Sequence, residues 1–139
     1  MGYLDDYGEG DGQREKIFKA IAVLLLLAIA AGGAYYVFFR NWAEEGQARA
    51  FLVALQEGDY AAAYQFWGCS IEEPCRFYPY EEFMKDWGPG SPVGKITGFR
   101  LGRSYEQQTG VIITLEINGK QQPNLWVEKE SRQVGFSPY

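Results

Sequence analysis

Twenty consecutive residues from Ala20 to Phe39, AIAVLLLLAIAAGGAYYVFF, carry no charged side chain. As an α-helix they extend about 30 Å, the thickness of a bilayer's hydrocarbon core. A helix apolar on every side finds no place on the surface of a small water-soluble domain. The block therefore divides the chain into an N-terminal tail, a span, and about 100 residues that must hold any core.

Tyr35, Tyr36, Phe38, Phe39 and Trp42 gather around Arg40 at the end of the block, the pattern of an aromatic interface belt with a charged stop. Arg14, Lys16 and Lys19 precede it, and Arg40 and Arg49 follow within a comparable distance. Three against two is a bias toward a cytoplasmic N-terminus. The expectation is a single-pass helix over 17–41 in the cytoplasmic (inner) membrane, with the lipid bilayer as partner and a periplasmic or extracellular domain over 42–139. A cleaved signal peptide, with Ala28-Ile29-Ala30 or Ala34 near its cleavage site, is the competing reading, but the apolar run continues well past those alanines. Ala28 with Gly32 and Ala30 with Ala34 put small residues at helical spacing, which lets another helix approach closely, although such residues are common in spans anyway. With no charge inside it, the span is expected to anchor or pack rather than conduct.

Residues 1–16 are expected to form a flexible acidic cytoplasmic tail, because MGYLDDYGEGDGQ mixes glycine with Asp5, Asp6, Glu9 and Asp11 and has too few apolar groups to order alone. Tyr3, Leu4 and Tyr7 are the contact groups if something holds it. Asp6 stands where a myristoylation signal has Ser or Thr, which argues against a lipid on Gly2.

The chain contains no histidine. No Ser-His-Asp or Cys-His nucleophile can be built, and no imidazole is available for zinc or haem. Two cysteines offer little to a metal, and no P-loop or dinucleotide fingerprint is present. A net charge of −5 argues against nucleic acid as a partner. No cofactor and no metal is implied.

Beyond the span, thirteen acidic residues face ten basic ones, Arg40 included, an ordinary solvated balance. Ala48, Phe51, Leu52 and Leu55 recur at helical spacing before Gly58, which predicts a helix from about Trp42 to Glu57. Asp59 caps a second helix from Tyr60 to about Trp67. A third starts at Pro79, has Glu81 and Glu82 in its first turn, aligns Phe83, Met84 and Trp87, and stops at Gly88-Pro89. After Pro92 the period becomes two. Phe99, Leu101 and Tyr105 alternate with Arg100 and Ser104, and Val111, Ile113, Leu115 and Ile117 with Ile112, Thr114 and Glu116. Asn118-Gly119 is a type I′ hairpin signal. Leu125, Val127 and Lys129 mark a third strand, Ser131-Arg132 a turn, and Gln133 to Phe136 a last strand. The predicted fold is α+β: one transmembrane helix, then three short helices packed on a curved antiparallel sheet of about four strands.

This order resembles the nuclear transport factor 2-like superfamily of cone-shaped domains. The resemblance rests on ARAFLVALQEGDYAAAYQFW, a helix, a Gly-Asp break and a second helix, and on the strands closing at VGFSP, and it covers about residues 42 to 139. It implies helices over a curved sheet. Similar domains serve as enzymes, as ligand binders and as membrane-tethered assembly parts, including an inner-membrane component of type IV secretion machines, so the fold leaves function open. Related dehydratases and isomerases use a histidine, absent here, or an Asp-Tyr constellation, for which Asp59, a cap, and Asp86, a helix end, are poor candidates.

Cys69 and Cys75 enclose SIEEP. In an extracytoplasmic domain they read as a structural disulfide; in a cytoplasmic one, as buried thiols. Glu72 and Glu73 beside Arg76 read as a solvated turn, because acid–base work would need one carboxyl in an apolar pocket. Tyr60, Tyr64, Trp67, Tyr78, Phe83 and Trp87 are the candidate pocket or interface, with core packing as the plainer use of such a stripe. A domain this small cannot bury all its large rings, and exposed ones mark interfaces. The functional expectation is a non-catalytic accessory or scaffold subunit of a larger membrane assembly, with other membrane-protein subunits as partners and a homo-oligomer within reach of an open sheet edge. The alternative is a tethered binder of a small apolar ligand in an aromatic-lined cone.

Overall fold

The computed structural model describes residues 2–139, and their side chains from Asp11 onward. The chain forms two compact units, Met1–Arg40 and Asn41–Tyr139. The first is a single helix, α1 (Gly2–Phe39). It starts well before the predicted 17–41, and Glu15 and Lys19 form an i,i+4 ion pair at 2.9 Å along it. Both partners are exposed, so the pair adds little by itself. A span already nucleated as helix extends at one bond per residue, without a second nucleation cost. The side chains of Tyr3, Leu4 and Tyr7 lie outside the described residues.

The second unit opens with α2 (Trp42–Gln56), α3 (Tyr60–Gln65) and α4 (Tyr80–Trp87). Asp59 caps α3 as expected, its carboxylate accepting from the Ala62 N–H at 3.1 Å. A five-stranded antiparallel sheet follows: β1 (Phe99–Gln107), β2 (Gly110–Ile117), β3 (Lys120–Gln121), β4 (Leu125–Glu128) and β5 (Val134–Phe136). The order is β1-β2-β4-β5, with β3 also on β2, so the class is α+β with an open sheet. The predicted third strand is β4, and the two-residue β3 precedes it as an additional strand on β2. Pro123 has no N–H to give to a ladder, and the register shifts by one between Glu116↔Gln121 and Ile113↔Leu125.

The helix α2 covers one face of the sheet, lying against β1, β2, β4 and β5, and α3 packs on α2 and α4 on α3. Ala48, Phe51, Leu52 and Leu55 point into that face, and Val111, Ile113, Leu115, Ile117, Leu125 and Val127 meet them, all buried. The period-two pattern of β2 is thus realised in full. Asn118 and Gly119 have φ of 52° and 78°, as a type I′ turn requires. Asn118 also clamps the preceding loop: its Oδ1 accepts from the Thr97 N–H and hydroxyl at 2.8 Å, and its Nδ2 donates to the Lys95 carbonyl at 2.9 Å.

In β1 the expected alternation breaks. Leu101 pairs with Leu115 but Ser104 with Ile113, so Gly102 and Arg103 together oppose Thr114 in a β-bulge. A Cβ at Gly102 would collide with the Thr114 side chain. Paired residues share a face, so Ser104 turns inward beside Ile113 while Tyr105 turns out and is 47% exposed. Beyond Leu101 the two faces are therefore the reverse of those that strict alternation predicts.

Candidate functional site

The apolar side chains described along α1 stay exposed within their unit. From Ile17 to Phe39 every large one is between 48% and 77% exposed. This is one helix long and apolar enough to cross a membrane, near the N-terminus. Of the predicted interface residues, Tyr35, Tyr36, Phe38, Phe39 and Arg40 close α1, with Tyr35 stacked on Phe39 at 5.1 Å. Trp42 is exposed and begins α2 in the other unit. Ala28, Ala30, Gly32 and Ala34 are exposed, and a Cβ added at Gly32 would meet nothing within 4 Å.

In the second unit five of the six candidate aromatics, Tyr64, Trp67, Tyr78, Phe83 and Trp87, come together in ring contacts, and Tyr60 packs against the core. Tyr64 and Phe83 are fully buried, Trp87 is nearly so, and Tyr60, Trp67 and Tyr78 pack against them half-buried. Phe51 of α2 is the hub, its ring centroid 5.2 Å from Trp87, 6.0 Å from Trp67 and 6.2 Å from Phe83, each edge to face. Such pairs add about 0.5–1.5 kcal/mol each beyond the area they bury. The rings fill one another's faces. The Trp67 indole N–H has no acceptor among the described residues.

The segment from Cys69 to Tyr78 is tied down at several points. Cys69 and Cys75 are bridged, their Cα atoms 5.3 Å apart. The buried Tyr64 hydroxyl accepts from the Cys75 N–H at 3.0 Å and donates to the Tyr78 carbonyl at 2.7 Å. The Ser70 N–H donates to the Glu73 carbonyl and the Ser70 hydroxyl accepts from the Glu73 N–H, both at 3.0 Å. Glu72, Glu73 and Arg76 are exposed, a solvated turn. Phe77, two positions beyond the bridge, is 90% exposed, with the Arg76 guanidinium 5.3 Å from its ring centroid.

Asp86 is exposed but has a partner: the Tyr78 hydroxyl donates to its carboxylate at 2.6 Å. Burial, and after it the bond to Asp86, holds the Tyr78 phenol well above its ordinary range, against a smaller opposing effect of the Trp87 indole. Tyr78 is therefore a fixed donor at neutral pH, and a phenol–carboxylate pair stands where the sequence offered only a helix-end aspartate.

A second polar cluster was not legible. Asn41 and Glu44, at the start of α2, are among the most buried polar residues described, 4% and 5% exposed. Asn41 Nδ2 donates to Ser104 Oγ at 3.1 Å, and that hydroxyl donates to Glu45. Glu44 pairs with Arg132 at 3.2 Å. Asn41 Oδ1 and the second Glu44 oxygen have no partner among the described residues, which costs on the order of 1–3 kcal/mol for each such group. The cluster ties the first turn of α2 to β1 and to the β4–β5 turn. Asn41 precedes α2 but makes no side-chain cap bond, its amide being directed to Ser104 instead.

No family model, curated protein or solved structure matches the chain.

Proposed function

We propose that this chain is a single-pass protein of the cytoplasmic membrane, its N-terminus cytoplasmic and residues 42–139 outside, acting as a non-catalytic accessory or scaffold subunit of a larger membrane assembly. The observation that carries the reading is the pairing of α1, whose apolar surface finds no cover in its own unit, with a separately folded, disulfide-bearing module. A bridged cysteine pair suits an oxidising compartment, which agrees with the charge bias across the span. The aromatic cluster supports contact over ligand binding, because Phe51, Tyr64, Phe83 and Trp87 are packed against each other rather than around a space. The Tyr78–Asp86 pair serves in this reading as a strut between the disulfide loop and α4. The likeness of residues 42–139 to cone-shaped domains of the nuclear transport factor 2-like superfamily belongs to the same proposal.

The test is native mass measurement of the protein drawn from its own membrane in mild detergent. Added mass from other protein subunits is expected. A particle containing this chain alone, as monomer or self-assembly, overturns the accessory reading.

A further inference from the structure

The module carries an exposed aromatic knob and an apolar cleft close together. The knob is Phe77, at the tip of the turn closed by the Cys75–Tyr78 bridge, where the Tyr78 N–H donates to the Cys75 carbonyl at 3.3 Å. The disulfide and the Tyr64 hydroxyl hold both sides of that turn. A ring left 90% in water on so restrained a loop buries almost none of its apolar surface in the isolated chain. It is pre-organised as an anchor, since little freedom remains to be lost when it is covered. The cleft, about 210 Å³, is lined by Trp87, Pro92, Val93, Pro123 and Phe136, with Gln122 as a polar member and Asp86 as its charged one. Apolar cavities of about 150 Å³ already accept benzene, so one phenyl ring fits.

Knob and cleft are neighbours. Tyr78, adjacent in sequence to Phe77, donates to Asp86, and its ring lies 6.1 Å from that of Phe136. The knob also carries a cation, Arg76, and the cleft an anion, Asp86. A projection and a complementary hollow side by side on one surface can be satisfied reciprocally about a two-fold axis, so the contact closes at two copies.

We propose that the partner of this surface is a second copy of the chain: Phe77 of each protomer enters the other's Trp87–Phe136 cleft, with Arg76 set against Asp86. This rests on reading the module as an interaction domain and names one of its partners.

The experiment is sedimentation equilibrium of the full chain in density-matched detergent micelles over a range of protein-to-detergent ratios. A monomer–dimer equilibrium is expected. Phe77→Asp weakens it by about tenfold or more, the effect of losing a central aromatic anchor. Arg76→Glu and Asp86→Arg each weaken it, and the two combined recover part of the loss. Phe77 and Arg76 are exposed, so their variants keep the fold, which near-UV circular dichroism checks. A monomer at every ratio overturns the proposal, as does a dimer indifferent to Phe77→Asp and Arg76→Glu. If Phe77-dependent dimers form but no other subunit is found in native membranes, the accessory reading alone fails. If other subunits are found and the chain never pairs through Phe77, this inference alone fails.

Discussion

The helix α1 and the module over Asn41–Tyr139 are both rich in large apolar side chains, yet they place them in opposite ways. Leu24 to Leu27 are all at least 59% exposed, whereas Phe51, Leu52, Ile113 and Leu125 are fully buried. Sequence spacing is the difference. In the module, apolar residues recur at three and four along α2 and at two along β2, leaving each element a polar side and one face to hide. In the span no polar side exists, and the helix is long and apolar enough to cross a bilayer. The two regions should therefore respond separately to substitution.

The sharpest break is Phe51→Ala. Removing the ring at the hub of the aromatic core costs about 3–5 kcal/mol, which appears as a lower urea midpoint by near-UV circular dichroism while membrane association is unchanged. Leu25→Arg makes the reverse cut. A charge at mid-span opposes insertion by about 2.5–3.5 kcal/mol, so less protein resists carbonate extraction while the module's unfolding midpoint stays where it was. If Leu25→Arg also unfolds the module, the two units are not independent.

Replacing Cys69 and Cys75 by serine removes the closure of a short loop and lowers the module's stability by roughly 2 kcal/mol. Urea unfolding with and without reductant measures it, and the variant should no longer respond to reductant. Tyr78→Phe deletes the bond to Asp86 and costs about 1 kcal/mol. The phenol is raised in the fold above the 10.0 of a free tyrosine, so its contribution is complete below about pH 10 and declines as pH rises beyond it. The wild-type melting temperature should fall more steeply above pH 10 than that of Tyr78→Phe.

Much of this architecture is legible in the sequence. The helix stops at Gly58 and Gly88, the Asp59 cap and the Asn118-Gly119 turn depend on local backbone chemistry, and all were read at their positions. The burial of β2 is legible because its alternation is unbroken over the seven residues from Val111 to Ile117. The candidate site was only half legible. The six rings were identified by type and spacing, but which of the neighbouring aromatics turns outward was not, and Phe77 sits beside Tyr78 in sequence while differing from it in every contact.

The sequence by itself determined the division of the chain, the class of each element and the residues able to form a core, because these follow from charge, period and turn preference over a few neighbouring positions. Tertiary structure decided the rest. The Gly102–Arg103 bulge exists where Ser104 must meet Asn41, more than sixty positions away. Glu44 is buried because Arg132 reaches it from the last turn, and Asp86 is engaged because the disulfide loop brings Tyr78 to it. Each joins residues distant along the chain, whose meeting is fixed by how α2, α4 and the sheet pack and not by any local preference.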